Sequence, residues 1–205
     1  MVILFNLRDF LAHPFWMLGL TVVRDERYFY GGALLALITC AGYVVAWRLD
    51  RRAVLDALAP GAGFALACLS LGALASGANF GRPTTAAWGI VYTSQAAARL
   101  NGTPLGVPLV PVALYAAVMH FGLAAGAAWL VMRAGRPGVA SAFWLFSAGL
   151  GTVLLGQLRY RLPGELLVAN AYTPAQAVGI LAVLFSGVLW LEFLQELQGS
   201  NATIV

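Results

Sequence analysis

The chain has no lysine. All twelve of its basic residues are arginine, set against eight acidic residues, for a net charge of +4. An excess so small and scattered does not build a nucleic-acid surface; it fits a protein resting against anionic lipid head groups. Charge of either sign is scarce, at 10% of residues, while 61% are hydrophobic. A soluble domain carries roughly 45–50% apolar residues. The difference points to an all-α integral membrane protein, read as one polytopic domain over residues 1–205. Cys40 and Cys68 are the only cysteines. Both fall in apolar segments and are expected to be buried thiols, which excludes a disulfide scaffold and a zinc site. No nucleophile elbow, phosphate loop, metal cluster or intramembrane carboxylate pair is visible. Asp56 is the only acid near a span interior, and one acid is not a proton relay. Without a buried charge pair or an inverted repeat, a transporter is disfavoured. The opening "MVILFNLRDF" has no basic region before an apolar run, so no cleaved leader is expected and insertion rests on internal spans.

Six apolar segments are present, at 10–23, 28–47, 53–76, 111–132, 139–158 and 174–194. The first is short and interrupted by Pro14, suiting a partial span or an interfacial helix. The second has full crossing length and stops at "RLDRR". In the third, "APGAGF" brings Pro60, Gly61 and Gly63 together and predicts a kinked or broken helix, tolerable where neighbouring protein satisfies the backbone. Arginine divides six and six between the two faces, so it gives no positive-inside bias. The short loops "RLDRR" and "RAGR" are assigned to the cytoplasm. On the other face Arg82, Arg159 and Arg161 have only Glu165 as an obvious partner. Arginine forks suit phosphate; interfacial anchoring is the alternative.

Small residues mark two helix faces: Ala116, His120, Ala124 and Ala127 on one, Ala148, Thr152 and Gly156 on another. Such faces let helices pack closely in lipid. His120 therefore points at protein, as a hydrogen-bonded core histidine or as an axial ligand to haem or chlorophyll. His13, before Pro14, is a weaker candidate ligand. No cofactor is required by the sequence, and an absorbance spectrum would reveal a pigment. In "YTPAQ", Thr173 is the expected N-cap, Pro174 the first helical residue, and Gln176 the closure of a capping box.

Taken in order, the segments resemble bacterial prolipoprotein diacylglyceryl transferases, which move a diacylglyceryl group from phosphatidylglycerol to a lipobox cysteine. "ERYFYGGALLALI" resembles the family segment ending in His-Gly-Gly. "DALAPGAGFALACLSLGALASGANFGRPTTAAWGIVYT" resembles the signature helix and the loop after it. "GVPLVPVALYAA" resembles the His-Pro-x-Gln-x-Tyr-Glu region, and "YTPAQAVGILAV" the last helix. On this resemblance the family's first span and part of its second are expected to be missing. The resemblance implies that residues 77–93, "GANFGRPTTAAWGIVYT", form the periplasmic end of the signature. Gly77 and Gly81 would allow the turn, Arg82 would meet a phosphate, and Trp88 to Tyr92 would lie at the interface.

Where the family carries its catalytic histidine, this chain has Tyr30, followed by Gly31 and Gly32. The signature arginine is Ser70, its asparagines are Ala73 and Ser76, and its glutamate is Ala78. Val110 and Ala113 replace the His and Gln of the next motif, while Pro111 and Tyr115 remain. On the fifth helix Thr152 and Gly156 stand for an arginine and an acid, and Arg159 survives. Asp56, Pro60, Gly72, Gly77, Gly81, Pro83, Thr173 and Gln176, which shape backbone, are kept. Activating a thiol and stabilising a leaving phosphate need the groups that were lost. Tyrosine, with an ordinary pKa near 10, is a poor base at neutral pH. The expectation is a non-catalytic subunit of the bacterial cytoplasmic membrane. It would hold phospholipid through Arg82, Tyr30, Gly31, Gly32, Tyr115 and Arg159, and pack against other integral membrane subunits through its N-terminal segment. The alternatives are a divergent transferase using Arg82, Tyr30 and Tyr115, and a pigment-bearing subunit of an electron-transfer complex.

Overall fold

The computed structural model describes residues 26–133, 136–161 and 171–202. The apolar segment at 10–23, His13 and Glu165 lie outside them. The helices are α1 (Glu26–Ala46), α2 (Arg51–Ser76), a short α3 (Gln95–Asn101), α4 (Val112–Arg133), α5 (Val139–Leu158) and α6 (Pro174–Ala202). A two-residue strand pair, β1 (Ile90–Val91) and β2 (Pro108–Leu109), runs antiparallel beside α3. The helical membrane architecture expected from composition is therefore present. Among the described residues, four helices are long and apolar enough to cross a membrane: α2, α4, α5 and Pro174–Leu191 of α6.

The chain divides into two compact units, one through Arg51 and one from Arg52. In the first, α1 ends in a left-handed turn at Arg48, φ 50°. The Leu49 N–H donates to the Val44 carbonyl and the Arg48 N–H to the Val45 carbonyl, the pairing of a Schellman stop. Glycine usually holds that position; here the first arginine of "RLDRR" does.

In the second unit, α2 runs unbroken through Pro60, so of the kink or break expected there the break does not occur. Proline removes only the hydrogen bond to the carbonyl four residues back, that of Asp56, and packing holds the helix together. Gly63 is the reason α2 can pack so closely. A Cβ there would stand 3.0 Å from Ala124 on α4 and 3.0 Å from the Trp144 indole nitrogen on α5. Phe64 and Phe121 meet edge to face beside this contact, centroids 5.7 Å apart. His120, Ala124 and Ala127 of the small-residue face read from the sequence are buried along α4, together with Ala117, while Ala116 is part-buried. Helices α5 and α6 approach through a glycine pair: a Cβ on Gly149 would come within 2.5 Å of the Gly179 carbonyl oxygen. Lipid tails offer no hydrophobic drive for association, so this close fit supplies the dispersion contacts that hold the pair. Cys68 and Cys40 are free but exposed, which corrects the expectation of burial. An apolar residue on a spanning helix is as stable against lipid as against protein, so hydrophobicity did not specify the side.

The helix ends show how buried backbone is satisfied. The Asp56 carboxylate, itself buried, accepts the Gly138 N–H at 2.6 Å and the Ser141 N–H at 2.7 Å. It is a cap for α5 supplied from α2, where the peptide dipoles also favour negative charge. The same bonds bring the start of α2 to the start of α5, placing Arg52, Arg133 and Arg136 at one end of the bundle. At the other end, the carbonyls that close α2 are capped by the loop. Tyr92 Oη donates to Leu74 O, Asn101 Nδ2 to Ser76 O, and Thr103 Oγ1 to Gly77 O. Gly77 takes φ +76° to begin the turn, as expected of it.

Two outcomes follow from these caps. Asp56→Ala removes two charge-assisted bonds and is expected to cost on the order of 2 kcal/mol; thermal unfolding in detergent should shift down clearly, and an unchanged midpoint would contradict the cap. Burial raises the Tyr92 phenol above its ordinary 10.0. A group whose folded value is raised contributes its stability below the unfolded pKa and loses it as pH rises through the folded one. The Tyr92 contribution should therefore be complete below pH 10 and vanish at more alkaline pH. Tyr92→Phe should flatten that part of the stability profile.

Candidate functional site

Residues 80–84, the middle of "GANFGRPTTAAWGIVYT", lace three chain segments together. Gly81 N–H donates to Val110 O at 3.0 Å and Val110 N–H returns a bond to Arg82 O at 3.0 Å. Arg82 N–H donates to Leu158 O, Tyr160 N–H to Phe80 O, and Thr84 N–H to Pro108 O. A Cβ on Gly81 would lie 2.5 Å from Val110 O, so glycine is required for that approach. Phe80 stacks on Tyr160 with centroids 5.6 Å apart. The glycines that interrupt this greasy chain let its loop tie the ends of α2 and α5 to the start of α4.

Beneath this lacing lies a cavity of about 300 Å³. From α2 come Leu66, Ser70 and Ala73; from the turn, Asn79. Helix α4 contributes Val112, Ala113, Ala116, Met119 and His120, and α5 contributes Thr152, Leu155 and Gly156. Arg159 stands at the α5 terminus, and Thr173, Ala175 and Gln176 line the cavity from the start of α6. Among the described residues that line it, none carries an acidic side chain.

The α6 side is held by the capping box predicted from "YTPAQ". Thr173 N–H donates to Gln176 Oε1 at 3.0 Å, and Gln176 N–H to Thr173 Oγ1 at 3.3 Å. Gln176 is fully buried, and its Nε2 donates to Val153 O at 3.2 Å. Gly156 makes the room, because a Cβ there would stand 2.5 Å from Gln176 Nε2. A motif explained by helix capping thus also forms a cavity wall. Two further hydroxyls are tied to their own helices: Ser70 Oγ donates to Leu66 O, and Thr152 Oγ1 to Ala148 O, each at 2.8 Å.

His120 differs from these. It is 8% exposed, and its Nδ1 is buried without a hydrogen-bond partner. Of the two roles weighed for it, that of a hydrogen-bonded core residue is therefore not the one the geometry shows. A polar atom left this way in a low-dielectric interior is costly, on the order of 1–3 kcal/mol.

The residues singled out from the sequence are distributed unevenly. Arg159 and His120 line the same cavity. Arg82 sits one hydrogen bond from the α5 terminus by its backbone, with an exposed side chain outside the lining. Tyr115 is part-buried on α4 and also outside it. Tyr30, Gly31 and Gly32 belong to α1, in the other unit. The sequence reading missed Asn79, which holds a left-handed φ of 53°; its position just after Gly77, in a turn, was the available signal.

Fold and site together define a multi-pass membrane protein with a small polar-edged cavity between its helices. The family model for prolipoprotein diacylglyceryl transferase matches residues 5–192, and the chain belongs to that family. No curated protein and no solved structure matches it significantly.

One consequence concerns His120 directly. Replacing an unpaired buried imidazole by an apolar group of similar reach removes an unsatisfied group. His120→Leu is expected to raise the unfolding temperature of extensively delipidated protein by a few degrees. A lowered midpoint would show that the imidazole is already satisfied by the protein.

Proposed function

We propose that this protein is a non-catalytic, lipid-binding member of its family that serves as a subunit of a larger assembly in the bacterial cytoplasmic membrane. The observation that carries this reading is a convergence. Ser70, Ala73, Ala113, Thr152 and Gly156 lie on three helices and occupy positions where the resemblance places arginine, asparagine, glutamine, arginine and an acid. All five line one cavity. Charged and proton-moving groups are replaced there by small ones, while the backbone devices around it are kept: the Asp56 cap, the Gly81 approach and the Thr173–Gln176 box.

Such a cavity keeps a volume and loses a reaction. Transfer to a thiol needs a base for the sulfur and donors for the departing phosphate. Arg159 brings a guanidinium to the cavity lining, a group whose fork suits a phosphodiester. Arg82, exposed beside the same helix end, adds a second positive charge toward the lipid surface. Phospholipid is the ligand this arrangement favours, with its head group at the laced end and its acyl chains leaving between helices. Residues Arg82 and Tyr115, on which the transferase alternative depends, stand outside the cavity lining.

Two measurements test this. Purified protein given phosphatidylglycerol and a lipobox peptide should yield no diacylglyceryl peptide; transfer above background that Tyr30→Phe abolishes would overturn the reading. Arg159→Ala should weaken retention of anionic phospholipid about tenfold, the scale of one lost charge-assisted bond. Equal lipid content by mass spectrometry would contradict a head-group site at Arg159.

A further inference from the structure

Two groups in the inner half of the cavity have bonding capacity that the described residues do not use. His120 is 8% exposed, lines the cavity, and has no partner for Nδ1 among the described residues. Gln176 is fully buried and lines the cavity as well. Its Oε1 takes the Thr173 N–H, and its Nε2 gives a hydrogen to Val153 O. A primary amide carries two hydrogens, so one remains for the cavity.

Glycines on α5 set the relative height of these groups. Met119, the neighbour of His120, packs against Gly151, and the Gln176 amide fills the space beside Gly156, where a Cβ would stand 2.5 Å from Nε2. His120 therefore lies near the level of Thr152. The amide lies near that of Gly156, four residues or roughly 6 Å closer to the laced loop at the rise of an α-helix. The other walls include the apolar side chains of Leu66, Ala113, Ala116 and Leu155.

At this depth an anion would have a full charge to desolvate against largely apolar walls. A single alcohol oxygen answers one of the two groups and leaves the other idle. A ligand that answers both is uncharged and carries two oxygens on opposite edges of a small apolar body, and a para-quinone has that form. The imidazole adds what a fixed donor lacks. Its Nδ1–H donates to a quinone carbonyl, and in the other tautomer Nδ1 accepts from a quinol hydroxyl. Thr152 Oγ1, whose proton is committed to Ala148 O, is a second acceptor at the same level. The volume of about 300 Å³ is at the small end for ligand pockets; it suits one substituted ring, with the tail leaving between helices.

We propose that the inner half of the cavity binds the ring of an isoprenoid quinone or quinol, with one ring oxygen on His120 Nδ1 and the other on Gln176 Nε2. This is independent of the phospholipid reading, which rests on Arg159.

The test uses the full chain in detergent micelles, with decylubiquinone and the dimethyl ether of its quinol as probes. Ring and tail are the same in both, and methylation blocks the two oxygens. The ether should bind at least about tenfold more weakly, the scale of one buried hydrogen bond. His120→Phe should lower decylubiquinone affinity about tenfold, and His120→Gln, which places an amide there, should retain most of it. Infrared difference spectra of carbonyl-labelled quinone give a second readout. Both carbonyl bands should shift down on binding, and His120→Phe should return one of them. Equal affinity for the two probes would overturn the proposal, as would two shifted bands that survive His120→Phe in protein eluting as a single species. Phospholipid content is measured in the same preparations. Quinone binding by protein that retains no phospholipid would support this site and count against the earlier reading; phospholipid retention without quinone binding would overturn this one.

Discussion

In a bilayer core no water is available to receive a backbone amide, so every helix end at membrane depth must find its partners in protein. The Asp56 carboxylate is where this constraint shapes the molecule most. It accepts two N–H groups from the first turn of α5, and it does so from a helix that Pro60 has already deprived of one hydrogen bond. One buried carboxylate thereby ties the start of α2 to the start of α5, at the end of these helices away from the cavity. The opposite end obeys the same rule by other means: the last carbonyls of α2 take Tyr92, Asn101 and Thr103, and residues 80–84 pair with the two segments that flank the cavity mouth.

On the proposed reading, these devices account for which of the family's positions are kept and which are replaced. Asp56, Gly77, Gly81, Thr173 and Gln176 satisfy backbone groups or allow backbone approach; without them the helices would not meet as they do. Ser70, Ala73, Ala113, Thr152 and Gly156 face a cavity, where a smaller side chain leaves the surrounding packing intact. A chain can therefore change the second set freely while it must keep the first. Gly156 joins the two, since the space it leaves is taken by Gln176.

Much of this was legible in the sequence, for identifiable reasons. Composition gave the membrane class, and the fifth apolar segment has the bounds observed for α5, because glycine at 138 and arginine at 159 punctuate it sharply. The capping box was readable since all its partners are within three residues. The small-residue face of α4 followed from helical spacing. Asp56 was read as the one acid near a span interior and, through the resemblance, as a kept residue that shapes backbone, but its partners are 82 and 85 residues away and nothing local announces them. Pro60 was read as a kink or a break because sequence shows the lost hydrogen bond but not the close packing around Gly63. Burial of the cysteines was misjudged since lipid and protein interior select the same residue types. The cavity itself was visible only as a set of replaced positions whose meeting point depends on tertiary structure.

The account rests on one claim, that the space under the laced loop is a lipid site from which chemistry has been removed. A high-resolution cryo-electron microscopy map of the protein in its native assembly tests it most directly. The account predicts continuous lipid density entering between the helices, with its polar end among Arg159, His120 and Thr152. A map in which that space is closed by repacked side chains, or filled by a segment of protein, would contradict it.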